Sequence, residues 1–524
     1  MTDKNILPHI PEEEQTPTVR LLLAFIEKQQ ETIQKQQTEI DALKAEVARL
    51  KKLPKKPKIK PSKLSKDKNK GSGNSGKSNK SNKRKKKLTI HSTEIIKPDN
   101  LPEGSRLLGY ENYTVQDMVI KPHNTLYRVA RYQTPDGKTL TGVLPKELRG
   151  SHFGTQLKGY IIYQYYHQRV TQPLILQQLS EWGIDISSGQ ISNILIRDKE
   201  HFHEEKDELL SAGIKNSSYI HVDDTGSRHD GKNGYCTHIG NESFAWFSST
   251  ESKSRINFLE LLRGTALDYT INATALDYMH LQKLPLQPLE AIKQDENTIF
   301  ANKKEWNVYL QQLNITTMRH VRIATEGALL GTLSSSGFPP DLVIISDDAG
   351  QFNVLLHALC WVHADRVFQR IIPMNDKHAE KLDWVHTQIW EIFSNLKQYK
   401  QTQTSALKAE ITAQFDKLCD RQTSFATLNQ ALKRLARNKN ELLLVLERPD
   451  IPLQNNLSER DIREYVIKRK ISGSTRSEEG RRCRDTFASL KKTCKKQGLS
   501  FWKFLCDRLR RRHDIPYLPD LLQG

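Results

Sequence analysis

Three acidic positions in this 524-residue sequence could together hold a divalent metal ion. Asp223 or Asp224 ends the β-branched and aromatic run SSYIHVDDTG, and Asp347 follows the apolar run DLVIIS. Both runs predict strands, and strand ends are where α/β sheets expose reacting groups. Mg²⁺ prefers oxygen ligands, and a two-metal phosphoryl-transfer site draws carboxylates from separate elements. A lone aspartate after a strand is usually a turn former, so this chemistry needs a third acid.

The third candidate is Glu459, within the stretch NNLSERDIREYVIKRK at residues 455–470. If this stretch is a helix, Glu459 shares one face with Asn456, Arg460 and Arg463, which lie at helical spacing. The packed side would be another face, formed by Ile462, Tyr465 and Val466.

Two interpretations of Glu459 remain open at this point. Asn456 followed three residues later by Glu459 is a capping-box pattern, which would make the acid part of a helix start. Alternatively, Glu459 binds metal while basic neighbours bind phosphate, to which a planar guanidinium is well suited. Those basic candidates are Arg460, Arg463, Lys468, Arg469 and Lys470.

The first 88 residues divide into a tail with a coiled-coil segment (1–52) and a basic linker (53–88). Residues 18–52 carry heptads with β-branched a positions, which favour a two-stranded coiled coil and hence a homo-oligomer. The alternative is a single helix packed on the body. Residues 51–88 hold 16 Lys, one Arg and one Asp, which is +16 of the chain total of +19. We expect this run to be disordered and either to strengthen DNA binding non-specifically or to act as a solvated spacer.

Residues 89–148 predict a small β-containing unit. The segment TLYRVARYQTPDGKTLTGVLP alternates around Pro135-Asp136-Gly137, which is a hairpin signal.

Residues 149–215 predict a helical DNA-binding region with a pair of helices in VTQPLILQQLSEWGIDISSGQISNILIRD. The turn falls at Gly183, and the second helix opens at Ser187 or Ser188. This pattern fits a helix-turn-helix, although many helix pairs share it without touching DNA. The second helix would bury Ile191 and Leu195. It would expose three polar candidates for DNA contact: Gln190, Ser192 and Asn193.

Residues 216–475 hold all the acidic candidates and predict an α/β domain, a mixed sheet covered by helices. We expect strands at 217–226, in the pair within 233–250 and at 341–348, and helices at 254–262 and 352–372. Residues 264–337 and 375–450 do not fit this core and are predicted insertions, the second mostly helical. The remaining segment, 476–524, is basic and amphipathic. Its packed residues should be Phe487, Leu490, Phe501, Phe504 and Leu505.

Cysteine usage and hydropathy indicate a cytoplasmic protein without a membrane partner. The six cysteines are scattered without a CxxC pair, which predicts a reducing compartment and no structural disulfides. The sequence opens with no secretory signal pattern and contains no apolar run long enough to span a membrane. Cys360 and His363 form a Cys-x-x-His, but a zinc site would need a second pair. We expect these two residues to be structural and to lie near the acidic site.

Several of these segments together resemble the Asp-Asp-Glu transposases of the insertion-sequence sixty-six family, which have a ribonuclease-H-like catalytic core. They are HVDDTGSRHDGKNGY, LVIISDDAGQF, CWVHADRVF and LQNNLSERDIREYVIKRKISGS. The segment from Gly150 to Leu195 resembles the helical region upstream of that core. The resemblance covers roughly residues 89–510. By the family pattern, the catalytic metal ligands are Asp223, Asp347 and Glu459, with Asp224 as the alternate if the strand register differs.

The resemblance also implies cofactors and partners. It implies two Mg²⁺ or Mn²⁺ ions, double-stranded DNA in the form of terminal inverted repeats and target DNA, and a bacterial, nucleoid-associated location. Accessory proteins from the same element are a further expectation. The family's cysteine zinc ribbon has no counterpart, because no cysteine precedes Cys236, so no structural zinc is expected. The unit at 89–148 would keep the ribbon's shape with a packed core.

Two other functions remain open beside that of a transposase. A structure-specific nuclease on the same fold would hydrolyse DNA without joining strands. A catalytically inactive DNA-binding scaffold would use only the coiled coil and the helix pair, but acids at all three positions argue against it.

Overall fold

The computed structural model describes residues 152–523, 102–144, 89–99 and, nearer the N-terminus, 16–22, 25–26, 29, 32 and 36. The chain divides into two units, residues 1–113 and 114–524. The coiled-coil prediction falls mostly outside the described residues, and the linker prediction entirely so. The described positions between 17 and 36 are helical.

In the second unit, the described strands are β1 (Arg131–Gln133), β2 (Thr139–Thr141), β3 (Tyr219–Gly226), β4 (Tyr235–Gly240), β5 (Ala245–Thr250), β6 (Tyr269–Thr270), β7 (Ile299–Phe300), β8 (Val343–Ser346) and β9 (Leu356–Leu359). The α-helices as far as the fifth strand are α1 (Thr155–Ile162), α2 (Gln172–Glu181), α3 (Ser188–Ile196), α4 (Glu200–Lys215) and α5 (Arg255–Arg263). Between that helix and β8 lie α6 (Ala273–Leu281), α7 (Leu286–Lys293), α8 (Lys303–Gln312) and α9 (Met318–Ser335). After β9 come α10 (Trp361–Gln369), α11 (Asp376–Tyr399), α12 (Ser405–Cys419), α13 (Ala426–Arg437), α14 (Lys439–Leu443), α15 (Asn456–Ser472), α16 (Glu478–Lys496) and α17 (Phe501–Arg510).

The central sheet is mixed and has the strand order β5-β4-β3-β8-β9. The first three of these strands pair antiparallel, while β8 pairs parallel with both β3 and β9. The protein is therefore of the α/β class, as the sequence predicts.

Helices cover both faces of the sheet because its central strands are apolar on both sides. Along β8, the side chain of Ile344 enters one hydrophobic core, and those of Val343 and Ile345 enter another. The first core includes helices α4, α5, α9, α16 and α17. The second includes α10 and the helices of residues 375–450, which confirms that this insertion is mostly helical. The insertion at 264–337 combines α6–α9 with the two-stranded sheet of β6 and β7.

The helix predicted at 352–372 is wrong in its first half. Leu356–Leu359 forms the edge strand β9, paired parallel with β8, and the helix begins only at Trp361. A short apolar run fits a buried strand as well as a helix, so periodicity alone cannot decide between them. The free edge of β8 is what makes this run a strand.

The hairpin predicted around Pro135-Asp136-Gly137 is present as β1 and β2, with Gly137 at a φ of 83° in the turn. Every residue of both strands is exposed. The expected packed core is therefore absent from the part of residues 89–148 that the structure describes.

The predicted helix pair corresponds to α2 and α3, which are separated by a turn with Gly183 at a φ of 74°. Ile191 and Leu195 are fully buried, as expected. The C-terminal segment also packs as predicted, and its five predicted contact residues all belong to the first core. No helix in the described part of the chain is long and apolar enough to cross a membrane.

Candidate active site

Asp223 and Asp347 lie opposite each other at the open end of the β3–β8 pair. The parallel pairing runs from Tyr219–Val343 to His221–Ile345. Continuing that register places Asp223 opposite Asp347, the first residue after β8. Contrary to the sequence expectation, Asp223 does not end its strand, because β3 continues to Gly226 through pairing with β4. The edge facing β8 is nevertheless unpaired there, which leaves space beside the aspartate.

Asp224 points to the opposite face, since side chains alternate along a strand. One of its carboxylate oxygens accepts a hydrogen bond of 2.7 Å from Gln351 Nε2. The other oxygen forms an ion pair with Lys253. The alternate ligand from the sequence analysis therefore already has two partners on the side away from Asp223.

Burial and neighbouring negative charges raise the pKa of both aspartates. Burial, with the charges of Asp347, Asp224 and Glu459, raises the pKa of Asp223 to about 7, against a hydrogen bond from the Asp224 amide that lowers it. Burial also raises the pKa of Asp347, against the opposing influence of His363 and the Ala349 amide. Two crowded, desolvated carboxyls of this kind are typical of functional sites, and a bound cation would relieve their repulsion.

Glu459 lies in the first turn of α15 and contacts two residues of α10. Its Oε1 is 3.0 Å from an Arg366 guanidinium nitrogen and 3.2 Å from His363 Nε2. Arg366 and His363 are themselves in contact at 2.8 Å. His363 was predicted from the sequence to lie near the site, but Arg366 was not. The signal available for Arg366 was its position three residues after His363, which puts both side chains on one face of a helix.

The capping-box interpretation of Glu459 is wrong. The helix starts one residue earlier than assumed, with Asn455 as the N-cap, and no side chain caps it. The side chain of Asn456 instead donates to Gln454 Oε1 at 2.7 Å. A capping role therefore does not account for an acidic residue at position 459.

The three acids come from three separate elements, and their carboxylate oxygens are the donors that Mg²⁺ prefers. Among the described residues, however, no group of three or more His, Cys, Asp or Glu side chains is arranged to hold a metal ion. The carboxylate of Glu459 has a cationic partner, Arg366. The donor set suits a hard divalent cation once Glu459 exchanges that partner.

The basic residues of α15 do not all share one environment. Arg460, Arg463 and Lys470 are exposed, and Arg469 is half-buried with a 3.3 Å hydrogen bond to Thr225 Oγ1. Lys468 departs from the prediction, because it is buried. Its ammonium donates to the Tyr165 carbonyl at 2.7 Å and lies over the Tyr165 ring, so it is unavailable to a phosphate.

In α3, the polar candidates also differ from one another. Gln190 completes a capping box with Ser187, with reciprocal bonds of 2.9 and 3.2 Å. Asn193 is exposed, and Ser192 is half-buried. Cys360, the other residue expected to be structural, is buried, and its thiol accepts from the Asn455 amide at 3.1 Å.

These features define a class: a mixed α/β protein in which half-buried carboxyls and basic side chains lie at a sheet edge and on two neighbouring helices. Residues 341–482, which include Asp347, α10 and Glu459, match the family described as Transposase IS66 family. Over 303 residues the chain is 43% identical to the uncharacterized protein y4jO of Sinorhizobium fredii (strain NBRC 101917 / NGR234). That match covers 57% of this chain and 94% of the relative. The chain belongs to the IS66 transposase family.

Proposed function

We propose that this protein is a transposase that cuts the DNA ends of an insertion sequence and transfers the freed 3′-hydroxyl to target DNA. The observation that supports the proposal is electrostatic: Asp347 and Glu459, which belong to two other elements, are near enough to Asp223 on β3 for their charges to raise its pKa. A mixed sheet with the order β5-β4-β3-β8-β9 supports a ribonuclease-H-like core for this chemistry.

In this proposal, Asp223, Asp347 and Glu459 would hold divalent metal, Mg²⁺ or Mn²⁺. Two bound ions of this type stabilise the attacking and leaving oxygens of an in-line displacement at phosphorus. Asp223, whose pKa is raised to about 7, would lose any proton it carries on joining the site. Glu459 would exchange Arg366 for the metal, and the released guanidinium would then be available to a phosphate oxygen.

Double-stranded DNA is the partner that family membership suggests. Arg460 and Arg463 are exposed in the turn of α15 that holds Glu459, and Lys470 is exposed further along the helix, so they can neutralise phosphates near the acids. The helix pair α2–α3 would supply contacts away from the acids. A homo-oligomer formed through residues 18–52, help from accessory proteins of the same element and a cytoplasmic, nucleoid-associated location complete the proposal. No structural zinc is part of it.

The test is Mg²⁺-dependent nicking of labelled DNA that carries the element's terminal repeats, with binding measured separately in Ca²⁺. Asp223→Asn, Asp347→Asn and Glu459→Gln should abolish nicking while retaining binding, because an amide is a poor substitute for a carboxylate on Mg²⁺. Asp348→Asn is the matched control. It removes a neighbouring acid that pairs with Arg434 at 2.5 Å, and it should nick at close to the wild-type rate.

Nicking by Glu459→Gln at the wild-type rate would mean that the third carboxylate lies elsewhere. Cleavage without strand transfer would indicate a nuclease. Binding without cleavage, under all metal conditions, would indicate a DNA-binding scaffold.

A further inference from the structure

We propose that Asn455 is a positioning residue that holds β3, the end of β8 and α15 together, and so holds Asp223, Asp347 and Glu459 within reach of one another. The proposal rests on the proposed function, because it assigns Asn455 a role toward the same three acids.

The side chain of Asn455 ties α15 to β3. It is almost fully buried, with 1% of its surface exposed. Its Nδ2 donates to the Val222 carbonyl oxygen at 2.7 Å. Its Oδ1 therefore accepts, and His221 Nδ1 donates to it at 2.8 Å. Both strand partners directly precede Asp223 in the sequence.

The backbone of Asn455 extends the connection to the other two acids. Its N–H donates to Cys360 Sγ at 3.1 Å, and the N–H of Cys360 donates to the Ser346 carbonyl at 3.0 Å. Ser346 is the residue before Asp347. The carbonyl of Asn455 accepts from the Glu459 N–H at 3.3 Å. One buried residue thus connects the immediate neighbours of two acids with the backbone of the third.

The geometry also departs from what an asparagine at a helix start normally does. Asn455 is the N-cap of α15, a position where an asparagine side chain usually accepts from the first-turn amides. Here the side chain makes no capping bond. The side chain instead bonds to β3. The sheet edge, and not the start of the helix, therefore accounts for an asparagine at this position.

An amide of this length is well suited to the position because it offers a donor and an acceptor at once. Aspartate would lose the donor to Val222, and leucine would lose both bonds. Either change would leave buried polar groups without partners, which is unfavourable because those groups lose their hydrogen bonds to water without replacement.

The experiment compares Asn455→Ala with Asn272→Ala in the full chain. Asn272 is a fair control because its side chain also makes several bonds, to the Gly331 carbonyl, the Ser335 hydroxyl and the Ala275 amide, within the 264–337 insertion. Mn²⁺ affinity is measured by titration calorimetry, nicking is resolved into kcat and KM, and the thermal midpoint is recorded for each variant. Wild-type protein that binds no metal and does not nick would overturn the proposed function itself.

Asn455→Ala should weaken Mn²⁺ affinity by about 10-fold or more and lower kcat, as changes to residues that orient metal ligands do. The KM for DNA should not change. Asn272→Ala should lower the thermal midpoint and leave metal affinity and kcat unaltered. If folded Asn455→Ala protein matches Asn272→Ala in metal affinity and kcat, the positioning role is overturned while the proposed function stands.

A second pair of variants keeps the test decisive if Asn455→Ala does not fold. His221→Leu places an apolar side chain at this buried position and removes one bond to Asn455. It should weaken metal affinity by about 10-fold at most, the lower limit of such effects, because the bond from Asn455 to the Val222 carbonyl remains. His221→Gln restores a donor and should recover part of the loss. Equal, wild-type affinity in both variants would overturn the proposal.

Discussion

Glu459 is the acid whose surroundings differ most from a ready metal site. In the described structure its carboxylate is shared between Arg366 and His363. Burial and the neighbouring Arg366 lower the pKa of His363, which leaves the guanidinium as the cationic partner of the acid. If Glu459 binds metal as proposed, Arg366 and the metal ion would compete for the same oxygen atom.

Arg366→Ala should strengthen the binding of Mn²⁺ to the DNA-free protein, because it removes this competitor. The increase should be at most about fivefold, since a half-exposed ion pair contributes about 1 kcal/mol or less. Titration calorimetry measures it. Arg370→Ala removes an exposed positive charge at the end of the same helix and serves as the control for general electrostatics. Weaker metal binding by Arg366→Ala than by Arg370→Ala would contradict the competition.

At the level of the elements, α3 has polar residues of two kinds: some cap the helix, and another is exposed. Ser187 and Gln190 close its first turn, while Asn193 is exposed one turn further on. The capping bonds between Ser187 and Gln190 are enough to account for a glutamine at position 190, without a contact to DNA. This leaves Asn193 as the better candidate for a base contact.

We expect Gln190→Ala and Asn193→Ala to affect different properties, the first the stability of α3 and the second the preference for terminal-repeat DNA. Gln190→Ala should speed amide hydrogen exchange in α3 about fivefold, consistent with a loss of ~1 kcal/mol for a broken cap, and should not alter the preference for terminal-repeat DNA. Asn193→Ala should reduce that preference and leave exchange unchanged. Competition binding and exchange mass spectrometry provide the two measurements. A changed DNA preference in Gln190→Ala alone would restore it as a DNA-contacting residue.

Across the whole molecule, buried histidines link stability to pH. Burial and nearby positive charges, Arg482 foremost, lower the pKa of His203 to about 3, and burial lowers that of His357 to about 4. In the unfolded chain such a histidine binds a proton near pH 6.5, but in the folded protein it does not until far lower pH. Between these values the unfolded state binds more protons, so stability rises with pH and falls on acidification.

His203→Asn should therefore reduce the acid sensitivity of the fold between pH 6.5 and 3, where one histidine contributes up to about 1.4 kcal/mol per pH unit. The measurement is the thermal midpoint as a function of pH. Thr486→Val is the control, because it removes the partner that lies 2.7 Å from His203 Nδ1 and keeps the titrating ring. It should lower stability at every pH and retain the slope. An unchanged slope in His203→Asn would place the acid sensitivity in other groups.

At the scale of the whole molecule, the heptads of residues 18–52 also predict that the protein forms a homo-oligomer. A chain without residues 1–52 should have a lower mass in light scattering than the full chain, because the apolar seam of a coiled coil is buried only between helices. The control is a chain in which Lys51 and Lys52 are replaced by Ala, which changes the charge and leaves the heptads intact. An equal mass for the truncated and full chains would sink the coiled-coil dimer.

Much of the architecture followed from local patterns. Alternating and continuous apolar runs located β3, β4, β5 and β8, and 3.6-residue periodicity located the second insertion and the C-terminal helices. Local patterns were insufficient where an element depends on its neighbour. Leu356–Leu359 is a strand only because the edge of β8 is free to pair with it.

Part of the candidate site was likewise predictable from the sequence, and part depended on the packing of distant residues. Residue type and spacing were enough to propose Asp347, Glu459 and one of the pair Asp223 and Asp224, since an acid after an apolar strand or within a basic helix is visible in the sequence alone. The distinction between Asp223 and Asp224 was not, because it depends on which sheet face α15 covers. The Arg366 contact, the burial of Lys468 and the bonds of Asn455 likewise join residues far apart in the chain. Such contacts exist only after packing has fixed one arrangement of sheet and helices, and no periodicity encodes them.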